Sequence, residues 1–319
     1  MKDLKVAVLM STYNGSVFLK EQLQSLIAQT FSNFTVYVRD DGSSDDTLNL
    51  LASFKGLDLR VVRDDAGNVG PASSFLRLLA AVEADYYFFC DQDDVWFNDK
   101  IERAISHIDS LALDGTIPVL YHSDLTLVDS KLNIIGDSFH QYDNVKPESF
   151  MQNNSLLIQN CVVGCTSALN RKLRDLAIGN IQGMYDNITM HDWWVALFAK
   201  YFGTIIYDAR STIYYRQHQF NVSGSAIRRE SFFYRVFSFG SYVKVLKMIE
   251  KCEKQVRLFI SVVSAARLKL PNYAFVQAER AARGSVLSYL LLHFERVRFS
   301  NAKLTFSVLV CCLLSGRIL

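Results

Sequence analysis

Long apolar runs are what this chain of 319 residues most lacks. The longest, 304-LTFSVLVCCLLSG-316, has about 13 apolar or small residues, where a membrane span takes about 20. It suits a core helix or an interfacial one. The segment 1-MKDLKVAVLM-10, interrupted by Asp3 and Lys5, makes a poor signal peptide and is expected to be a first strand. Zinc-like cysteine spacing is also absent. Cys90, Cys161, Cys165, Cys252, Cys311 and Cys312 are scattered, and are read as buried apolar thiols in a reducing cytoplasm. No G-x-G-x-x-G and no G-x-x-x-x-G-K-[ST] occurs, so neither a nicotinamide site nor a P-loop is supported. Internal repeats and low-complexity tracts are not found.

The chain also has little net charge, +2, but this hides an asymmetry. Residues 226–319 hold 16 Lys+Arg against 5 Asp+Glu, a net of +11, whereas residues 1–225 hold 18 against 27, a net of −9. An acidic part with clustered carboxylates suits metal and polar-ligand work. A basic part suits an anionic surface.

The first 115 residues alternate strand and helix. Strands are expected at 4-LKVAVLM-10, 34-FTVYVRDD-41, 59-LRVVRD-64 and 85-DYYFFCD-91, the continuous apolar character marking burial on both faces. Helices are expected from Phe18 to Ile27, after 41-DGSSDD-46 with Ser43 or Ser44 as cap, and from about Ser73 to Val82 with Pro71 at its start. This βαβαβαβ order predicts an α/β fold with an open, mostly parallel sheet. Ligands bind beyond the carboxyl ends of such strands. The polar clusters 11-STYNG-15, 40-DDGSSDDT-47 and 91-DQDD-94 follow strands one, two and four, and so meet at one edge. Further on, strand character returns at 118–129, 158–170, 204–209 and 212–218. Short and long helices are expected near Pro147–Met151 and over 191-HDWWVALFAKYFG-203.

Strand alternation would place Asp91 and Asp93 on one face. Two converging carboxylates repel unless a cation or donors lie between them, and oxygen ligands suit a hard ion such as Mg2+ or Mn2+. The plainer alternative is a solvated loop, with Asp94 or Asp99 capping the next helix. Likewise 40-DDGSSDDT-47 is either a capped turn or an edge where an acidic side chain accepts hydrogen bonds from a base or a ribose.

Taken in order, 10-MSTYNG-15, 40-DDGSSDDT-47 and 91-DQDD-94 resemble glycosyltransferase family 2, with the GT-A fold, over about residues 4–222. The extended 91-DQDDVW-96 is similar to the rhamnosyltransferase-like members of bacterial polysaccharide clusters. The resemblance implies inverting transfer of a sugar from a nucleotide-diphosphate donor, dTDP-rhamnose or a UDP-sugar, to a glycan or lipid-linked acceptor. It implies that Thr12, Tyr13 and Asn14 line the nucleotide, that Asp41 reads the base beside Asp40, and that Asp91 is shared between ribose and metal. Asp93 would be the metal ligand, with His218 as a third ligand and Arg216 neutralising the diphosphate. Asp192, in 191-HDWW-194, matches the family's general base. Trp193 or Trp194, more often core residues, would stack on an acceptor ring.

The resemblance divides the chain into a GT-A catalytic domain, 1–225, and a basic helical region, 226–319. Within the latter, 228-RRESFFYRVF-237 mixes Arg with aromatics, and 244-KVLKMIEKCEKQVRLFI-260 sets Val245, Leu246, Ile249, Val256 and Phe259 apart from Lys244, Lys247, Lys251 and Lys254. Such helices either lie on an anionic membrane or pack on the catalytic domain with a solvated basic rim. No nucleic-acid motif is present. The expected location is cytoplasmic, peripheral on the inner face of the membrane, and the N-V-S at 221–223 is discounted as a glycosylation acceptor. Two other classes stay open: a non-catalytic sugar-nucleotide or glycan-binding module, and a nucleotidyltransferase.

Overall fold

The computed structural model describes residues 4–111, 116–218 and 239–295, with residues 297, 308, 309, 312 and 315 beyond. The expected helices at 228–237 and most of 304–316 lie outside the described residues, as does 221–223.

The expected strand–helix alternation is present. β1 (Val6–Thr12), α1 (Leu19–Ile27), β2 (Phe34–Asp40), α2 (Thr47–Ser53), β3 (Leu59–Val61), α3 (Pro71–Ala81) and β4 (Tyr86–Cys90) follow one another. β5 (Val95–Trp96), α4 (Lys100–Leu111), β6 (Val119–Val128), β7 (Ile134–Gly136), α5 (Phe139–Tyr142) and α6 (Pro147–Gln152) come next. β8 (Ser167–Asn170), α7 (Arg171–Ile178), α8 (His191–Phe202) and β9 (Thr204–Arg216) complete the sheet region. Three helices close the described chain: α9 (Phe239–Ala265), α10 (Asn272–Arg283) and α11 (Val286–Phe294).

The sheet order is β3-β2-β1-β4-β8-β6-β9-β5, with β7 beside β6. Only β3, β2, β1 and β4 form the expected parallel block. β6 and β9 pair in parallel as well, while β8 runs antiparallel to both β4 and β6, and β5 antiparallel to β9, so the sheet of this α/β fold is mixed beyond its parallel block. The two late strands expected at 204–209 and 212–218 are one strand. Its register on β6 slips between Ser123↔Asp208 and Asp124↔Ser211, leaving Ala209 and Arg210 as a bulge where the pattern suggested a break.

Strand pleating divides the core. Along β1, Ala7 and Leu9 face one layer with Phe75, Leu79 and Trp194, while Val6, Val8 and Met10 face the other with Leu23, Leu26 and Ile101. Helices therefore cover both faces. The C-terminal helices join the first layer: Phe259 of α9 packs edge-on to Trp194 and Phe198 of α8, with ring centroids 6.3 and 5.2 Å apart. Side-chain bonds tie them further, Gln255 accepting from Thr189 N at 2.9 Å and Gln277 from Asn154 at 2.7 Å.

Gly203 ends α8 and lets the chain double back. A Cβ there would lie 2.1 Å from the carbonyl oxygen of Pro118, at the first rung of the β6–β9 pairing.

Candidate active site

The three polar clusters meet at the carboxyl edge of the parallel block, stitched by side chains acting as backbone. Gln92 accepts from Tyr13 N and donates to Tyr13 O, both at 2.9 Å. Ser43 and Thr47 accept from Asn14 N and Gly15 N at 2.9 Å, and Asp45 accepts from Ser16 N at 3.1 Å. Asn14 adopts φ 46°, which asparagine tolerates, and its Oδ1 accepts from Ser44 N at 2.8 Å. A Cβ on Gly15 would lie 2.0 Å from Gln92 Oε1 and would displace that side chain from its two bonds to Tyr13. The turn thus uses Ser43 internally, and α2 starts later, at Thr47, without the serine cap expected for it.

These bonds redistribute the expected donor-binding roles. Thr12 is fully buried, its hydroxyl committed to Asp40 Oδ1 at 2.8 Å, so it builds the floor and offers no side-chain contact. Asp40 accepts four bonds, from Thr12, Gly42 N and both donors of Ser43, and organises the turn. Asp41 is buried, bonded to Arg39 at 2.6 Å and to Val69 N and Gly70 N at 2.9 and 2.8 Å, which fastens the 67–70 loop. Its Oδ2 accepts one of these bonds and keeps capacity for another. Tyr13 is half exposed.

β4 stops at Cys90, and the chain bends through 91–94, so strand alternation does not continue. Asp91, Asp94 and Cys165 bring their ligand atoms within 4.8 Å of one another. Asp93 turns instead to His218, whose Nε2 lies 2.8 Å from Oδ2. Asp94 is neither solvated nor a helix cap. It is fully buried, its Oδ1 accepting from Arg216 N at 3.1 Å and its Oδ2 without a hydrogen-bond partner.

Arg216 is not placed to neutralise a diphosphate. Its side chain is 1% exposed. The guanidinium donates to Asp93 O at 2.8 Å, to Ser130 O at 2.7 Å and to Glu21, and lies 4.4 Å from the Phe18 ring centroid. It clasps the acidic bend to α1 and to the turn after β6. His218 stacks on the same Phe18 ring at 5.0 Å.

Asp192 lies in the first turn of α8, buried, accepting from Trp193 N at 2.6 Å and from Gly164 N at 3.1 Å. Burial pushes its carboxyl up to about 6, against the lowering effect of these N–H groups. Asp91 is pushed up to about 7, first by burial, then by the charges of Asp93 and Asp192. That coupling brings the two halves of the motif set to one place. Asp94 is raised well above the usual carboxylate range by burial, then by the charges of Asp93 and Asp91.

Trp193 and Trp194 do not form a sugar platform. Both indoles are buried, with Nε1 bonded to Leu156 O at 2.6 Å and Ala177 O at 2.9 Å. They take the core role more usual for tryptophan, not the stacking on an acceptor ring that the resemblance implied, because α8 is buried from His191 through Ala199. His191 is packed between Phe75 and Phe89 at 4.4 and 4.7 Å, and burial drops its pKa to about 3, so it stays neutral.

Sequence reasoning missed Cys165, read there as an inert thiol, and Lys100. Lys100 is fully buried, with Nζ 3.2 Å from Thr212 Oγ1 and 4.8 Å from the Trp96 ring centroid. Nothing around either residue in the sequence signals its place, because distant segments bring them to the bend.

The residues fit a divalent cation. Three acids crowd one bend, two have proton affinity raised first by burial and then by neighbouring charges, and one buried oxygen lacks a strong donor. Asp91 and Asp93 are the two partly exposed acids of the bend, and His218 is bonded to Asp93.

A mixed sheet with an acidic bend at its parallel edge, facing a carboxylate at a helix start, defines a class of sugar transferase. Glycosyl transferase family 2 matches residues 7–176, and the chain belongs to that family. It is 30% identical to the dTDP-rhamnosyl transferase RfbG of Shigella flexneri over 234 residues, 68% of this chain and 74% of that one. It is 27% identical to the UDP-Glc:alpha-D-GlcNAc-diphosphoundecaprenol beta-1,3-glucosyltransferase WfgD of Escherichia coli, over 54% of this chain and 63% of that one. Among solved structures, residues 1–349 of TarS from S. aureus, in complex with UDP-GlcNAc, align with TM-score 0.55 and 17% identity, covering 98% of this chain and 93% of that one. The mannosyltransferase PcManGT of Pyrobaculum calidifontis, in complex with GDP-Man and Mn2+, aligns at 0.52 and 15%, covering 98% and 86%. At these identities the structural likeness establishes the GT-A fold.

Proposed function

We propose that this family 2 glycosyltransferase transfers a sugar from a nucleotide-diphosphate donor, with inversion, to a hydroxyl of a growing cell-surface polysaccharide. The observation that carries this reading is the meeting of the acidic bend with Asp192: the Asp91 carboxyl feels both Asp93 and Asp192. Such a cleft can hold a diphosphate on one side and activate a hydroxyl on the other.

Asp192 accepts the proton of the acceptor hydroxyl as that oxygen attacks the anomeric carbon from the face opposite the diphosphate. A carboxyl titrating at about 6 is ionised at neutral pH yet basic enough to take the proton. Its two N–H donors fix its orientation without occupying every lone pair. Asp91 and Asp93 would hold Mg2+ or Mn2+, which when bound supplies positive charge to the departing diphosphate. Tyr13 offers an exposed ring beside the turn, and Asp41 Oδ2 an acceptor for a base N–H.

The similarity to RfbG favours dTDP-rhamnose as donor, with UDP-sugars as the competing class. A lipid-linked acceptor fits the basic C-terminal helices, which would hold the enzyme on the inner membrane face. Lys247, Lys251, Lys254, Arg257, Arg267 and Lys269 are exposed there, beside exposed Tyr273, Val276 and Leu287. Among the described residues no helix is long and apolar enough to cross a membrane. In this reading residues 1–225 do the chemistry and 226–319 find the surface.

The test is release of nucleoside diphosphate from dTDP-rhamnose, UDP-glucose and UDP-GlcNAc, each with Mn2+ and with chelator. Turnover of one donor that is lost in Asp93→Ala and falls about 10²–10⁴-fold in Asp192→Asn supports the reading. Donor binding without turnover across an acceptor panel would show a binding module instead.

A further inference from the structure

Two features at the acidic bend are left over by the transfer chemistry: the thiol of Cys165 and the Oδ2 of Asp94, a carboxylate oxygen whose neighbour is that thiol rather than a strong N–H or O–H donor. Both residues are buried, at 1% and 0% exposure. With Asp91 they form a set whose ligand atoms lie within 4.8 Å of one another. Asp93 and His218, bonded to each other at 2.8 Å, are not among them.

We propose that Asp91, Asp94 and Cys165 form an inner, mixed carboxylate–thiolate position that takes a thiophilic divalent cation, such as Zn2+ or Cd2+. This rests on reading the acidic bend as a cation site, and adds a second, softer position behind Asp93. The donor set decides the ion class. Carboxylates alone suit Mg2+ and Mn2+, but one sulfur among them moves the preference to zinc-like ions. Three protein ligands plus one open position is the pattern of an accessible zinc centre, the fourth place going to water or a phosphate oxygen.

The geometry is close to what such an ion needs. With zinc–oxygen and zinc–sulfur bonds of about 2.0 and 2.3 Å, tetrahedral oxygen and sulfur ligands sit about 3.5 Å apart. Closing from a 4.8 Å envelope requires side-chain shifts of about 1 Å. Asp91, the one partly exposed member, gives the way in. Asp94 Oδ1 is already held by Arg216 N, which aims the free Oδ2. Binding breaks the Cys165 S–H bond, forms a sulfur–metal bond and releases the proton to solvent. Burial, then the charges of Asp94 and Asp91, hold the Cys165 thiol well above its usual range, so the cation must displace its proton; the buried Lys100 opposes a metal by its charge but favours the sulfur anion that forms. The predicted consequence is that a soft ion inhibits by occupying the inner position, where it excludes a hard ion from Asp91.

The experiment titrates Cd2+ into the full chain and follows sulfur-to-cadmium charge-transfer absorption, with Cys165→Ser and Cys161→Ser in parallel. The expected result is a band saturating at one equivalent in wild type and in Cys161→Ser, and gone in Cys165→Ser. Should the serine variant fail to fold, Asp94→Asn is measured with the thiol intact, and its midpoint must rise at least tenfold. A band that survives in Cys165→Ser, or an unchanged midpoint in Asp94→Asn, overturns the proposal. No band in wild type, while Mn2+ still raises the melting temperature with nucleotide, overturns it and leaves the hard-ion reading standing. If no cation raises the melting temperature, both fall.

Discussion

Asp192 and Asp91 both have raised proton affinity, but for different reasons. For Asp192 the cause is burial alone, which suits a base whose strength must not vary with what binds nearby. The pH–rate profile should therefore lose activity as pH falls through about 6, and Asp192→Asn should abolish that limb together with the rate. Asp91 is raised partly by other charges, so it should respond to a cation. Its folded pKa, about 7, lies above the unfolded value. Its ionisation thus costs stability as pH rises through 7, and below about pH 4 the carboxyl is protonated in both states. Asp91→Asn should melt higher than wild type at pH 8, with the gain vanishing near pH 4, as differential scanning fluorimetry would read. Adding Mn2+ should raise the wild type and not the variant. At this scale the motif residues were legible because their spacing follows strand ends. Lys100 and Cys165 were not, because only long-range packing makes a lysine or a thiol part of a site.

Elements built by local pattern were legible, and those built by pairing were not. The first four strands announced themselves as apolar runs. The two-residue β5 exists only because β9 pairs with it, and of the strand expected over 158–170 only Ser167–Asn170 forms one, as β8 bridging β4 and β6. Arg216 shows why the end of β9 matters: one side chain fastens the acidic bend, α1 and the turn after β6. Arg216→Met should lower unfolding free energy by about 3–5 kcal/mol, since a buried charge network is broken and its carbonyl partners are left behind. Urea denaturation would measure it. Arg216→Lys should recover only part, because a single ammonium cannot reach Asp93 O, Ser130 O and Glu21 in the same fork.

The whole molecule is electrically divided, with −9 in residues 1–225 and +11 beyond, yet its apolar core is continuous across that division. The charge asymmetry was plain in the sequence. The shared core was not, since the apolar residues of α9 read equally well as a membrane face. The structure buries Ile249, Val256 and Phe259 in the core shared with the catalytic helices and leaves Lys247, Lys251 and Lys254 exposed. Membrane attraction should then be mainly electrostatic: co-sedimentation with vesicles rich in anionic lipid should fall steeply between about 0.05 and 0.5 M salt. Binding that ignores salt, or that needs no anionic lipid, would count against it.

Gln92 has a bearing on how such a protein ages. Its amide extends the hydrogen-bond ladder between the first and fourth strands one rung past the place where the main chains part. Loss of ammonia from that amide would set an oxygen against Tyr13 O and add a fourth carboxylate to a bend that already holds three. The damage would fall on the donor loop and spare the core, so a preparation could lose turnover slowly in storage while keeping its melting point and its elution volume.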